Sequence, residues 1–167
     1  MTQGPRFRVR FRRHREGRTD YRLRARLLRG ERPRAVVRKT LNHMIVQIVE
    51  ADATGDRILA SANSKELAEH GWSAGTGNVP AAYLTGFLAG RRAAAKGIPD
   101  AVLDIGLHKP TRGGRVFAAL QGLLDGGLAV PHSPEVLPSK ERVRGEHIGA
   151  EIPKAFDAVK AKLEATR

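Results

Sequence analysis

Short apolar runs, interrupted by polar residues, mark three successive strands in the first half of the chain. The runs cover residues 34–40, 43–50 and 57–62, and they are rich in valine, isoleucine and alanine. Only Leu41 and Asn42 separate the first two runs, which predicts an antiparallel hairpin. The sequence ADATGD before the third run has the composition of a turn.

Longer apolar patterns follow in the middle of the chain. Residues 64–70 predict a short helix, and residues 78–97 predict the longest one. Asn78 can cap the long helix, Pro80 lies in its first turn and Gly97 follows its end. Small residues recur along this helix, and we expect them to let it approach the sheet closely. They are Ala82, Gly86, Ala89 and Ala93.

The remaining elements predict the fold class. Residues 101–107 have the apolar composition of a buried strand with one acid, Asp104, inside it. Residues 114–127 and 153–165 predict two further helices. The last of these helices is predicted to bury Phe156, Val159 and Leu163. The element order predicts a single domain of α/β or mixed α+β class, in which helices pack on a mixed sheet.

The first 30 residues follow a different pattern. In RFRVRFR, residues 6–12, arginine alternates with apolar residues. This period of two leads us to expect an extended backbone over residues 6–15, with arginines and aromatic residues on opposite sides. Thr19 and Asp20 then resemble a helix start, and Gly30 resembles its end. One face of this predicted helix consists of Arg22, Arg26 and Arg29.

The charge of the chain is distributed unevenly. Residues 1–34 contain thirteen arginines and three acids, a net charge of +10, whereas the other 133 residues contain 17 basic and 14 acidic groups, a net charge of +3. A near-neutral body with a basic arm points to a polyanionic partner. Because the arm's charges repel one another, we expect the arm alone to be largely disordered and to order on that partner.

The side chains of the arm favour RNA over a membrane surface. Arginine offers a planar fork for phosphate and a face for stacking on bases, and the neighbouring aromatic rings can stack too. A membrane-surface helix needs a broad apolar face, and Leu23 and Leu27 are too few to supply one. No apolar run has the length of a transmembrane helix, and the charged N-terminus lacks the apolar region of a secretory signal.

A metal-dependent nuclease of RNase H-like topology is the alternative that the element order allows. Such an enzyme needs several carboxylates around Mg²⁺, and the candidates are Asp104, Glu50, Asp52 and Asp56. The first predicted strand contains no carboxylate, and Asp52 and Asp56 have the context of turn residues. We therefore expect Asp104 to be a structural acid, paired with a basic group or with backbone N–H groups.

Other catalytic and cofactor motifs are missing from the sequence. The chain has no cysteine and its six histidines are scattered, so neither a disulfide nor a zinc site is expected. It contains no Walker A sequence and no G-x-S-x-G sequence. GTGN, residues 75–78, is either a loop with a helix cap or an RNA-phosphate contact. We expect no catalytic residue, no cofactor, no metal and no small-molecule substrate.

Two longer segments resemble a known family. FRRHREGRTDYRLRARLL (11–28) with PRAVVRKTLNHMIVQIV (33–49), and later DIGLHKPTRGGRVFAALQGLLDGGLAVPH (104–132), resemble the universal 5S-rRNA-binding proteins of the large ribosomal subunit, number eighteen in the universal series. GEHI (145–148) is similar to the archaeal and eukaryotic branch of that family. The order and spacing of these segments make the resemblance specific, and it covers most of the chain.

The resemblance implies a fold and a role. The fold is a three-layer mixed sheet with helices, plus an extended basic N-terminal arm and a C-terminal helical extension. The implied divisions are an RNA-binding arm (1–33), a globular α/β domain (34–130) and an extension with a terminal helix (131–167). The role is binding and not catalysis: a structural constituent of the large subunit of the cytoplasmic ribosome. It would bind 5S rRNA and help attach it to the large-subunit rRNA in the central protuberance, beside the 5S-binding ribosomal protein number five.

Carried over by position, the resemblance also implies which residues contact RNA. Those in the arm are Arg6, Arg8, Arg10, Arg12, Arg13, His14, Arg15, Arg18, Tyr21, Arg22, Arg24, Arg26 and Arg29. Those in three later loops are Arg38, Lys39, Asn42, His43, Thr76, Asn78, Lys109, Arg112 and Arg115. In the last loop the basic residues surround a glycine pair, which lets an RNA backbone come close.

Overall fold

The computed structural model describes residues 4 to 165, so the predicted domain limits at Met1 and Arg167 lie outside the described residues. Its strands are β1 (Arg34–Lys39), β2 (Met44–Ala51), β3 (Asp56–Asn63) and β4 (Val102–Asp104). They form one sheet in the order β3-β2-β1-β4. β1 and β2 pair antiparallel, as do β2 and β3, whereas β1 and β4 pair parallel. The predicted hairpin and the predicted mixed sheet are thus confirmed.

Helices flank this sheet along the chain. They are α1 (Arg12–Arg15), α2 (Tyr21–Leu28), α3 (Val79–Ala95), α4 (Arg115–Asp125), α5 (Lys140–Arg144) and α6 (Glu151–Ala165). The predicted short helix at 64–70 is a 3₁₀ helix, Ser64–Ala68. The cap predicted for the longest helix is confirmed, because the Asn78 side chain accepts a hydrogen bond from the Ala81 N–H at 2.8 Å.

The core lies between one face of the sheet and the helices α3 and α4. Successive side chains of a strand point to opposite faces, and the alternate residues Ala35, Val37 and Val46 are fully buried. α3 contacts β2 and β3, and α4 contacts β1. This arrangement removes the apolar side of every long strand from water, which is the main stabilising contribution to a domain of this size.

The opposite face of the sheet carries α2, so the structure has three layers. Leu23 and Leu27 of α2 line a groove of about 530 Å³ whose other wall includes Val36 and Ile58 of the sheet. The first residue of the helix follows Asp20, whose side chain accepts from the N–H groups of Arg22 and Leu23 at 2.8 and 3.1 Å. The helix start predicted at Thr19 and Asp20 is therefore confirmed.

The C-terminal helix α6 packs on α3 and α5. Phe156, Val159 and Leu163 are buried, as the helical pattern predicted. The ring of Phe156 lies 5.4 Å from that of Tyr83, centroid to centroid, and the Lys160 ammonium lies 5.6 Å from the Tyr83 centroid. Both helices of the extension, α5 and α6, thus contact α3.

A close backbone approach in the core joins α3 to α4. A Cβ atom added to Gly86 would lie 2.0 Å from the carbonyl oxygen of Ala119, and one added to Gly122 would lie 2.1 Å from that of Tyr83. The small-residue stripe was predicted to serve contact with the sheet. Gly86 instead contacts α4, because both helices carry glycine at the crossing and their backbones can touch there.

Two segments differ from the sequence-based expectation. Residues 12–15 were predicted to be extended, yet they form the helix α1, in which His14 N–H and Arg15 N–H donate to the Phe11 carbonyl at 3.0 Å. RRHR has no apolar residue that could continue the period of two, so local hydrogen bonds determine its conformation. The predicted strand 101–107 ends at Asp104, because Gly106 turns the chain with a φ of +59°.

We expect Gly86→Ala to destabilise the fold strongly. The added methyl group would overlap the backbone of Ala119, and neither helix can move without disturbing the core. Overpacking of this kind lowers the free energy of unfolding by about 2–3 kcal/mol. Urea denaturation of the variant measures the loss. The matched control is Gly149→Ala, where a Cβ meets no atom within 4 Å, and an equal loss in both variants would contradict the packing argument.

Candidate nucleic-acid interface

The N-terminal arm places a large excess of positive charge on the surface. Eleven of its arginines are exposed: Arg6, Arg8, Arg10, Arg12, Arg13, Arg15, Arg18, Arg22, Arg26, Arg29 and Arg32. Glu16 lies 3.5 Å from Arg12 and 3.1 Å from Arg18, while Asp20 caps α2. These two acids are the only ones among residues 4–30, so most of the positive charge is not neutralised within the arm.

Aromatic rings connect the two helices of the arm. The ring centroids of Phe11 and Tyr21 lie 5.1 Å apart, and those of His14 and Tyr21 lie 6.4 Å apart. Phe7 and Phe11 are nevertheless 51% and 72% exposed. Large exposed rings among arginines are the combination that stacks on unpaired bases while the cations contact phosphate.

The predicted arginine face of α2 (Arg22, Arg26 and Arg29) is exposed to solvent. Arg24 lies on a different side of the helix, and its guanidinium donates two hydrogen bonds to Asp56, at 2.9 and 2.7 Å. Arg24 was among the predicted RNA contacts. Its guanidinium is paired with a carboxylate of the protein, and this distinguishes it from the three arginines of the exposed face.

Behind α2, five charged residues form an alternating chain that we call the arginine–aspartate ladder: Arg24, Asp56, Arg34, Asp104 and Arg38. The buried Arg34 donates to Asp56 and to Asp104, both at 2.7 Å. Asp104 also accepts from Arg38 at 2.9 Å and from the Gly106 N–H at 2.8 Å. The prediction that Asp104 is a structural acid is confirmed by these contacts.

The ladder keeps both carboxyl groups ionised. Hydrogen bonds from Arg24, assisted by those from Arg34, lower the pKa of Asp56 to about 2 against the opposing effect of burial. Burial acts to raise the pKa of Asp104, but the charge and hydrogen bonds of Arg38, with those of Gly106 and Arg34, lower it below its ordinary value. The hydrogen bonds to Asp56 raise the pKa of Arg24. Charges of opposite sign therefore stabilise one another along the ladder.

Three segments with predicted RNA contacts meet at one end of the sheet, and we call them the loop cluster: residues 40–43, 75–78 and 108–115. The Thr76 hydroxyl donates to the Asn42 carbonyl at 2.7 Å, and it lies 3.0 Å from His43 Nδ1. A Cβ on Gly77 would lie 2.9 Å from the Leu41 carbonyl oxygen. The structure thus brings together segments that lie far apart in the sequence.

Arg115 and His108 make hydrogen bonds that connect the segments of the loop cluster. The Arg115 guanidinium donates to the carbonyls of Gly77, Thr40 and Leu41 at 2.8, 3.3 and 3.4 Å. His108 Nε2 accepts from the Lys39 N–H at 3.2 Å. Burial lowers the pKa of His108, and the neighbouring cations Lys39, Arg38 and Arg115 lower it further. Arg115 was predicted to contact RNA, and one nitrogen of its guanidinium, Nη1, donates to these backbone carbonyls.

The other predicted loop residues divide into supporting and exposed groups. Asn78 caps α3, so the helix cap predicted in the GTGN segment is confirmed, and the RNA-phosphate contact there stays a prediction. Lys109 and Arg112 are exposed, with Arg112 3.6 Å from Glu135. Leu41, at the tip of the hairpin turn, is 88% exposed, and sequence reasoning did not single it out. The only sequence signal for the exposure of Leu41 was its position in the turn between two predicted strands.

The structure gives no support to a metal site or a membrane span. Among residues 4–165, no group of three or more histidine, cysteine, aspartate or glutamate side chains is placed to hold a metal ion. Both oxygens of Asp104, the acid proposed for a nuclease, accept hydrogen bonds from arginines or backbone. No helix in the part of the chain that the structure describes is long and apolar enough to cross a membrane.

Comparison with known proteins gives a consistent result. A family model described as "Ribosomal large subunit proteins 60S L5, and 50S L18" matches residues 5–100 and 93–133. The chain is 53% identical over 170 residues to large ribosomal subunit protein uL18 of Methanococcoides burtonii, covering 99% of this chain and 98% of the relative. It is 50% identical over 167 residues to uL18 of Methanothrix thermoacetophila, covering 98% and 99% of the two chains.

We expect the arginine–aspartate ladder to make the fold sensitive to acid. The pKa of Asp56 is about 2 in the folded chain and about 4 in an unfolded one. The stability contributed by its carboxylate is therefore present above pH ~4 and is lost as the pH falls from ~4 to ~2. Asp56 is one-third exposed, so we expect a loss of only about 1–2 kcal/mol.

Urea denaturation at a series of pH values between 7 and 2 measures this loss. Asp56→Asn should be less stable than the wild type at pH 7 and should lose less stability over the acid window. Glu69→Gln, which alters an exposed carboxylate, is the control and should keep the wild-type pH dependence. An Asp56→Asn variant with the full wild-type pH dependence would show that the acid sensitivity has another source.

Proposed function

The chain belongs to the family of ribosomal large subunit proteins 60S L5 and 50S L18, and from this membership we propose that its specific ligand is 5S rRNA. At the coarser level, it is a structural, rRNA-binding protein of the large ribosomal subunit, and the relatives bear ribosomal-protein names, not enzyme names. On the ribosome of the cytoplasm, it would help attach 5S rRNA to the large-subunit rRNA in the central protuberance, beside ribosomal protein number five.

The distribution of charge is the observation that carries this proposal. Thirteen arginines in the first 34 residues meet only three acids, and the arginine face of α2 is exposed. Such a surface fits a structured polyanion such as RNA. Exposed arginines bind its phosphates, and these contacts position the protein on the RNA. The exposed aromatic rings of the arm add contacts to unpaired bases, which are the usual route to sequence preference in RNA.

A division of labour within the interface follows from the contacts. The exposed arginines of the arm, with Lys109 and Arg112, are proposed to contact RNA directly. Arg24, Arg38 and Arg115 are proposed to support those contacts, since each donates to groups within the protein. We propose the same division for the domains: an RNA-binding arm (1–33), a globular body (34–130) and an extension (131–167).

Filter binding tests the choice of RNA. We expect the protein to bind 5S rRNA more tightly than an unrelated structured RNA of equal length, by at least about tenfold at 150 mM salt. If about 6–10 phosphates are neutralised, the affinity should fall by ~10³–10⁵ between 50 and 200 mM salt. Equal affinity for the two RNAs would refute the specific ligand and leave only general RNA binding.

The arginine face of α2 gives a sharper test. Replacing Arg22, Arg26 and Arg29 with alanine should reduce the slope of log affinity against log salt by up to about three, since each lost phosphate contact removes roughly one. A matched control removes three exposed cations elsewhere: Arg57, Lys65 and Lys154. The control should keep the wild-type slope. A slope unchanged by the α2 variant would mean that this face points away from the RNA backbone.

A further inference from the structure

Helix α2 has too few stabilising features of its own to present a fixed surface. It is eight residues long and buries no residue completely. Isolated helices shorter than ~12–15 residues are marginal in water. Its arginine face adds like charges at spacings of four and three residues, which are destabilising in a free helix. A contact outside the helix must therefore hold it in place.

Asp56 supplies that contact. This residue begins β3, and its carboxylate receives two hydrogen bonds from Arg24 of α2 and one from Arg34 of β1. The Arg34 side chain is only 3% exposed and is held on its other side by Asp104. The carboxylate of Asp56 is thus fixed by a buried cation, and it fixes α2 in turn through a bidentate pair.

The Asp56 carboxylate is unfavourable for RNA binding if electrostatic attraction alone determines the affinity. A negative charge close to an arginine face weakens the attraction of that face for phosphate, and its removal should strengthen RNA binding. A positioning role leads to the opposite expectation, because loss of the carboxylate would free α2 and its arginines. The two explanations therefore differ in the sign of one measured change.

We infer that Asp56 is a positioning residue that docks α2 on the sheet through Arg24, so that the arginine face is presented to RNA in a preformed geometry. The docking itself does not require RNA. Its effect on RNA binding rests on the proposed function. If α2 is docked in this way, the disorder expected of the free arm is limited to the residues before Asp20. Ordering a segment in advance favours binding because less conformational entropy is lost on association.

Hydrogen exchange of the full-length protein without RNA tests the docking. In the wild type, the backbone amides of residues 24–28, which can take part in helical hydrogen bonds, should be protected. In Asp56→Asn their exchange should be faster by about tenfold or more, since a local opening then exposes them. Equal protection of these amides in the two proteins would overturn the inference, whatever the RNA measurements show.

RNA affinity tests the consequence, with a control of the same charge. Asp56→Asn and Glu50→Gln each remove one acid from the β2–β3 pair, but Glu50 contacts Arg57 and not α2. We expect Asp56→Asn to bind 5S rRNA about tenfold more weakly than Glu50→Gln at 150 mM salt. Equal or tighter binding by Asp56→Asn would overturn the inference in favour of simple charge repulsion.

A second variant guards against misfolding, because Asp56→Asn also disturbs the buried Arg34. Arg24→Gln leaves the contact between Asp56 and Arg34 intact and should release α2 in the same way. In the double variant Arg24→Gln/Asp56→Asn, the amides of residues 24–28 should exchange no faster than in either single variant. Both substitutions remove the same contact. If the wild type protects α2 but does not prefer 5S rRNA, the proposed ligand fails while the docking stands.

Discussion

The buried guanidinium of Arg34 is the constraint on which the RNA-facing side of the molecule depends. A charge that is 3% exposed is tolerated only when it is paired and hydrogen-bonded. Asp104 and Asp56 provide the pairing, and each comes from a different part of the chain. Meeting this one requirement joins β4 to β1, brings the start of β3 to the same point and leaves an acceptor for Arg24. The sheet face opposite the core is therefore organised by charge, whereas the core face is organised by apolar burial.

Local patterns were sufficient to predict most of the elements. The hairpin, the long helix with its Asn78 cap and the buried face of α6 follow from short-range periodicity and from end signals, which act over a few residues. Residues 12–15 were misassigned because alternating arginines suggested a strand beyond the point where apolar residues stop. The short β4 ended early for a similar reason, since the turn at Gly106 depends on a hydrogen bond to Asp104 that the pattern of apolar residues does not contain.

The candidate interface was predictable in outline and not in its division of labour. Charge distribution identified the arm, and family resemblance identified the three loops that the structure brings together. Neither could show that Arg24, Arg38 and Arg115 are engaged internally, because their acceptors lie 32, 66 and up to 75 residues away. Asp56 was assigned to a turn for the same reason: its role depends on two arginines that approach it only in the folded chain.

The glycine contact between α3 and α4 has a mechanical consequence for the loop cluster. α3 begins directly after the GTGN loop, and α4 begins at Arg115, the last residue of the segment 108–115. The two helices touch backbone to backbone at Gly86 and Gly122, where no side chain separates them that could change rotamer and absorb a displacement. A displacement of one loop is thus transmitted to the other through the rigidly packed pair of helices. Two loops that are far apart in the sequence therefore move as one rigid unit and keep a fixed distance from each other.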